Sequence, residues 1–336
     1  MNRPEFVAPY TGFPSFYKSP ITEPDAIEEG MAVVAGAPMD LGVTLTRTGT
    51  RYGPRAIREA SLFYRAVQEG AVEQTSVHVD TKIAKRLKER PDIIDIGDFT
   101  IYPQDIMKTT ESISTGVAEI VERGGLPVVL GGDHYLTYPA FDGLSKGIAK
   151  RSAGAQLGHI HIDSHTDFRD EYVGFGKYNH GTSVRRLSEN PMINYKNMVW
   201  IGLNGNVLDA DIYRLYKSYG LKMITANDIR EQGIEEAIKE AVEVASEGAH
   251  AIYVSIDIDV VDSSYSPGTG VPVFEGITAR DFLSGMATLS TYDVIGAIDL
   301  CEVSPPFDPS GRTAYLAANG LVTLLARYLF DVVNID

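Results

Sequence analysis

Leu157-Gly158-His159-Ile160-His161-Ile162-Asp163-Ser164-His165-Thr166-Asp167 opens as an apolar, β-rich run and closes in a dense group of imidazoles and carboxylates. A strand over 157–163 that ends in such a group places reactive side chains at a carboxyl end of a sheet. Similar apolar runs lie at 31–37, 92–96, 126–130, 198–203, 221–225, 251–257 and 294–301. Between them fall helical patterns at 53–67, 105–123, 138–148, 209–219, 234–247, 279–289 and 313–333, most junctions being marked by Gly, Pro, Asn or Asp. The alternation predicts an α/β fold with a mainly parallel sheet covered by helices on both faces. In such sheets the chemistry sits in the crevice at the carboxyl ends of the strands.

Two other strand ends carry the same kind of chemistry. Gly131-Gly132-Asp133-His134 follows the run at 126–130, and Ser255-Ile256-Asp257-Ile258-Asp259 ends the run at 251–257. In an extended segment residues i and i+2 face one side, so Asp163, His165 and Asp167 can converge, as can Asp257 and Asp259. With His134 this makes two imidazoles and four carboxylates. One cation would leave the mutual repulsion of four carboxylates under-compensated, whereas two divalent ions with bridging carboxylates balance it. Imidazole and carboxylate without thiolate suit manganese, nickel or iron better than a structural zinc site.

The chain has 336 residues, 44% hydrophobic and 22% charged, which is long enough for a substantial core. A formal net charge of −15 argues against nucleic acid as a partner and helps to draw in a cationic substrate. Cys301 is the single cysteine, so an intramolecular disulfide is excluded and a reducing cytoplasm is the expected home. No signal-peptide core and no membrane-spanning apolar run is found.

Two further positions fit around a metal site. Asn179-His180-Gly181-Thr182 follows a glycine- and aromatic-bearing loop, and His180 there can shuttle protons without ligating metal. Glu302 follows the last strand, where a carboxylate can grip a planar cation through paired hydrogen bonds.

Taken in order, GGDH, DSHTD, NHGT, SIDIDVVDSSYSPGTG and the Glu302 segment resemble the ureohydrolases, the family of arginase and agmatinase, and RYGPRAIREAS at 51–61 is similar to the family's first helix. The similarity runs from about Val33 to the C-terminus, setting an N-terminal extension at 1–30 apart from one catalytic domain at 31–336. NHGTSVRR resembles the agmatinase version of the histidine loop, and no counterpart is seen of the loop by which arginase reads its α-amino acid.

The resemblance implies one central parallel sheet of eight strands flanked by helices, and assembly as a trimer or hexamer of identical chains; the altered substrate loops noted below leave a mixed oligomer with a paralogue as an alternative. It implies that His134, Asp163, Asp167 and Asp257 bind one metal ion and Asp163, His165, Asp257 and Asp259 the other, with manganese ahead of nickel. It assigns the proton shuttle to His180 and the guanidinium grip to Glu302. Asp167 would then pass a proton to the leaving nitrogen after attack by a metal-bridged hydroxide, releasing urea and an amine.

Several positions depart from the agmatinase pattern. Phe274 and Glu275 replace a proline and a glycine after PGTG, Tyr135 follows GGDH in place of serine, and Asn204 stands where arginine is common. The segment 44–50, TLTRTGT, lacks the usual RPGAR. Asn179, His180, Phe274 and Glu275 are therefore expected to shape the substrate pocket. Guanidine, an N-alkylguanidine or a biguanide such as metformin stand as alternatives to an agmatine-type substrate, and a supporting subunit of a mixed oligomer as an alternative to an enzyme.

Overall fold

The structure is a computed structural model that describes residues 11–43, 47–69, 76–77, 84–88, 90–205 and 210–333. Residues 1–10 of the N-terminal segment, 44–46 of TLTRTGT and 209 at the head of an expected helix lie outside the described residues. The strands are β1 Ala32–Ala37, β2 Ser76–Val77, β3 Ala84–Leu87, β4 Ile93–Asp98, β5 Leu126–Gly131, β6 Leu157–Ile162, β7 Ile193–Leu203, β8 Lys222–Thr225, β9 Ala251–Asp257, β10 Ile295–Cys301 and β11 Phe330–Val333. The helices are α1 Gly53–Glu69, α2 Ile106–Glu122, α3 Thr137–Arg151, α4 Ser183–Leu187, α5 Ala210–Tyr219, α6 Ala226–Gln232, α7 Ile234–Ser246, α8 Ala279–Leu289, α9 Arg312–Leu324 and α10 Ala326–Leu329.

Eight strands form one sheet in the order β4-β1-β5-β10-β9-β6-β7-β8, and their pairings are parallel. Period-two alternation buries both faces. Val128, Leu130, Ile160, Ile162, Val254 and Ile256 join α1, α7, α8 and α9 in one apolar cluster. Val129, Trp200, Tyr253, Ala297 and Cys301 face the other way, against residues of α2 and α3. This is the arginase-like α/β architecture. Its strand order matters for chemistry, because β5, β10, β9 and β6 are consecutive neighbours mid-sheet and bring the four motif-bearing carboxyl ends side by side.

The segment before β1 packs on this core. Phe16 and Tyr17 are buried, and the Phe16 amide donates to Asp95 at 2.9 Å. Asp95 also receives Arg58 of α1 at 2.8 Å, an ion pair buried on both sides.

One expectation is corrected. The helix expected over 313–333 stops within α9 and α10, and β11 forms a small antiparallel sheet with β3 and β2. Phe330 and Val332–Val333 favour an extended backbone, and their partners on β3 lie more than two hundred residues away, beyond any local pattern.

Candidate metal centre

The loop after β5 turns at Gly132, where a Cβ would lie 1.8 Å from the carbonyl oxygen of Met39 and only glycine fits. Asp133 then accepts the Tyr135 amide at 3.0 Å and the Gly42 amide at 2.8 Å, fixing the short turn that carries His134. The same loop holds Glu302. Its amide donates to the Gly132 carbonyl at 2.9 Å, and its Oε1 accepts the His134 amide at 2.8 Å.

His134 is oriented from behind. Its Nε2 lies 2.7 Å from Ser255 Oγ, which donates to Asp299 Oδ1 at 2.9 Å, while Tyr253 donates to Asp299 Oδ2. Ser255 and Asp299 are register partners on β9 and β10. The network makes Nε2 the donor and leaves Nδ1 as the inward-facing nitrogen. That Nδ1 faces Asp163 Oδ2 at 3.0 Å, Asp167 Oδ2 at 3.1 Å and Asp257 Oδ2 at 3.1 Å. On the other side of Asp163, His165 Nδ1 lies 3.4 Å from Oδ1 and 3.2 Å from Asp259 Oδ2. Asp163 thus offers one oxygen to each group. Asp257 gives Oδ2 to the first, its Oδ1 accepting the Asp259 amide at 2.8 Å.

Convergence is achieved by turns, which corrects the extended-strand argument. β6 ends at Ile162, and Asp163 Oδ1 accepts the His165 amide at 2.6 Å. Asp257 does the same to Asp259. These side-chain turns fold residues i and i+2 onto one side after the strand has ended. Asp167 and Glu302 adopt φ of 47° and 65°, a costly left-handed backbone for non-glycine residues.

The arrangement fits divalent cations. His134 Nδ1 and Asp163 Oδ2 are buried without a hydrogen-bond partner, each aimed at the other's group. Such orphaned atoms are costly unless something unites them. Burial alone would lower the His134 pKa, yet Asp163, Asp167 and Asp257 hold it well above 6.5. Burial and the neighbouring Asp259 and Asp163 carboxylates push Asp257 well above 3.8. Both directions describe a centre short of positive charge.

His180 Nδ1 lies 3.5 Å from Glu302 Oε1, and both line a cavity of about 150 Å³ with His134, His165, Asp167, Asp257 and Asp259. Burial opposes its charge, but Glu302, Asp167 and Asp133 prevail and raise His180 to about 9.

The expected substrate contacts divide. Asn179 is buried, with Oδ1 accepting the Gly181 amide at 3.2 Å and Nδ2 donating to the Gly176 carbonyl at 2.8 Å, so it shapes the histidine loop instead of facing the cavity. Phe274 is 83% exposed, and Glu275 lines an adjoining, larger cavity of about 460 Å³ with Asn204 and Arg230, which shares His165 and Thr166 with the first. Asn204 donates to the Phe274 carbonyl at 2.6 Å and Arg230 to that of Glu275, so these departures tie the end of β7 to the loop before α8. Tyr135 is fully buried, its hydroxyl 2.8 Å from Thr110. Arg47, from the TLTRTGT segment, donates to the Thr269 carbonyl at 3.0 Å and lies over Phe307 at 3.9 Å. That holds the loop behind Glu302, where a Cβ on Gly270 would come within 3.0 Å of Oε2.

Sequence reasoning missed several residues. His161 stacks on His134 with ring centroids 4.8 Å apart and places Nε2 2.9 Å from Asp163 Oδ2. Its position two before Asp163 on β6 was the available signal. Ser255 and Asp299 become visible only once the register of β9 and β10 is known. Arg169 and Tyr172 also line the cavity.

Comparison with known proteins agrees with this geometry. The Arginase family model matches residues 31–326. Guanidinopropionase of Pseudomonas aeruginosa is 34% identical over 317 residues, covering 94% of this chain and 92% of the relative. The mitochondrial guanidino acid hydrolase of Homo sapiens is 34% identical over 325 residues, covering 96% of this chain and 84% of the relative. Among solved structures, proclavaminate amidinohydrolase of Streptomyces clavuligerus superposes with a TM-score of 0.76 at 27% identity, over 96% of this chain and 99% of its own.

Proposed function

The chain belongs to the arginase family, and on that premise we propose that it cleaves a C–N bond of a small guanidino compound, releasing urea and an amine. The observation that carries this reading is the pair of orphaned atoms, His134 Nδ1 and Asp163 Oδ2, set 3.0 Å apart beside an anchored Glu302. His134, Asp163, His165, Asp167, Asp257 and Asp259 would hold two divalent cations, manganese ahead of nickel, which when bound would supply the charge needed to lower the pKa of a water toward 7.

A guanidinium carbon is a poor electrophile because its charge is spread over three nitrogens. Glu302, fixed by two backbone hydrogen bonds to the Gly132–His134 loop, receives the planar cation and orients its carbon over the carboxylate cluster. Asp167, strained into place at the cavity wall, carries the proton to the leaving nitrogen. His180, at the cavity edge and paired with Glu302, relays protons between the site and solvent as the next water is deprotonated. The names of the two relatives support a guanidino acid, and the likeness of the histidine loop to agmatinase supports agmatine. The reading includes a cytoplasmic trimer or hexamer, supported by the family resemblance and the single cysteine.

The test is urea or amine release from agmatine, 4-guanidinobutyrate, arginine, guanidine, dimethylguanidine and metformin, after loading with manganese or with nickel. Turnover of at least one compound, abolished by chelation and by Glu302→Gln, is expected. Silence across the panel with both metal ions bound would overturn the reading in favour of a supporting subunit that needs an active paralogue.

A further inference from the structure

Glu302 keeps one oxygen in the protein and presents the other to the substrate. Its Oε1 accepts the His134 amide at 2.8 Å, so Oε2 is the oxygen left to meet a guanidinium. Beside Oε2 stands Gly270, where a Cβ would come within 3.0 Å of it and 3.4 Å of the Arg47 carbonyl oxygen. A small shift of the 267–270 loop would therefore fill the space a substrate nitrogen needs, or leave Glu302 without its wall. The Glu302 backbone, at φ 65°, is of a kind that persists only where its surroundings over-determine it.

The two halves of that loop are held differently. The Gly268 amide donates to Thr313 Oγ1 at 2.9 Å, and the Gly268 carbonyl accepts the Ser304 amide at 2.6 Å. Thr269, next to Gly270, has its hydroxyl buried without a hydrogen-bond partner, so that side chain does not tether the loop. Among the described residues, the hydrogen bonds that reach Thr269 come from Arg47, whose Nε and Nη2 donate to its carbonyl at 3.1 and 3.0 Å. The same guanidinium lies 3.9 Å from the centre of the Phe307 ring, in the turn Pro305–Phe307 that follows Glu302. Gly49 seats the Arg47 segment on this turn, since a Cβ there would lie 2.8 Å from Pro306. One planar cation thus joins the loop on one side of Glu302 to the turn on the other.

We propose that Arg47 is a positioning residue for the hydrolysis, holding Glu302 Oε2 where it both grips the guanidinium and aims its carbon at the carboxylate cluster. The proposal rests on the guanidino hydrolase reading above. Arg47 acts through the loop and not on the substrate: it is not among the described residues that line the cavity.

The test compares the manganese-loaded wild type with Arg47→Ala, Arg47→Met, Arg47→Lys and Phe307→Leu. It reads kcat and KM for 4-guanidinobutyrate, agmatine and guanidine, and the affinities for manganese and for guanidinium chloride by calorimetry. Arg47→Ala should lower kcat/KM by about 10- to 100-fold for each compound turned over, in kcat as well as KM, with manganese affinity unchanged. Arg47→Met, which keeps the stem without the donors, should lose as much. Arg47→Lys keeps a donor for the Thr269 carbonyl and should recover about threefold or more of the loss. Phe307→Leu should cost about threefold, and nothing further when added to Arg47→Ala. Unchanged kcat/KM in Arg47→Ala, an Arg47→Met as active as the wild type, or a loss that tracks manganese affinity would overturn the proposal and leave the hydrolase reading standing. Should Arg47→Ala fail to fold, Arg47→Met against Arg47→Lys decides the same point. If no compound is turned over, the hydrolase reading fails and guanidinium affinity decides the role of Arg47. It should then fall about tenfold in Arg47→Ala, and equal binding, or none in the wild type, refutes the proposal.

Discussion

His134 owes its orientation to partners that end at Asp299. Ser255 takes the Nε2 hydrogen and passes its own to Asp299, leaving Nδ1 directed at three carboxylates. Removing the hydroxyl should loosen the ring without touching a ligand. Ser255→Ala is therefore expected to weaken manganese binding by about 10- to 100-fold, read by calorimetric titration; an unchanged affinity would show that the relay does not hold the imidazole.

His180 gives a pH dependence. Its pKa in the folded, metal-free protein is raised to about 9 by Glu302, Asp167 and Asp133 against the opposing effect of burial. A raised folded pKa contributes stability that is fully present below about 6.5 and is lost as the pH climbs through the folded value. Denaturant unfolding should thus show the wild type more stable than His180→Gln at pH 6, with the gap closing by pH 10. A gap that widens with pH would contradict the pairing of His180 with Glu302.

At this scale the ligand residues were legible, because their types and spacing have little other use at three strand ends. Phe274, Glu275 and Tyr135 were legible as departures but not as to place. Only the structure shows that Tyr135 fills the core and that Phe274 and Glu275 belong to a neighbouring loop.

Elements bring these residues together, and the joint between α1 and the sheet edge carries much of that burden. Arg58 projects from α1 to Asp95 at 2.8 Å and Asp98 at 2.6 Å on β4, with 8% of its side chain exposed. Burial opposes its charge, while Asp95 and Asp98 raise its pKa above the ordinary value. Truncating one partner of a buried pair leaves the other charge uncompensated, at about 3–5 kcal/mol. Arg58→Ala should lower unfolding stability by that order in urea, whereas Arg55→Ala, whose pair with Glu59 is exposed, should leave it nearly unchanged. Similar losses in the two variants would mean that the Arg58 pair does not anchor α1.

The central strands of the large sheet were readable because both of their faces are buried and their residues are mostly apolar. β11 was not, since its four residues continue an apolar helical pattern and become a strand only through pairing with β3. The turns that fold Asp163 onto His165 were also hidden, because alternation and a side-chain turn place i and i+2 on one side alike.

On the scale of the whole molecule, strand order converts scattered motifs into one centre. β5, β10, β9 and β6 lie side by side although β6 follows β5 in sequence, and this crossover sets the loops of residues 131–134, 163–167, 257–259 and 302 around one crevice. No local pattern states that order; the family resemblance implied a parallel sheet of eight strands, and the order within it is seen only in the structure.

The central claim is that these loops hold two cations, one on each side of Asp163, and the most direct measurement is the metal content of the purified, manganese-dialysed protein beside that of His165→Ala. The account predicts about two manganese ions per chain, falling to about one in the variant, because His165 and Asp259 serve only the second group. A wild-type content of one ion or none, or a content that His165→Ala leaves unchanged, would contradict it.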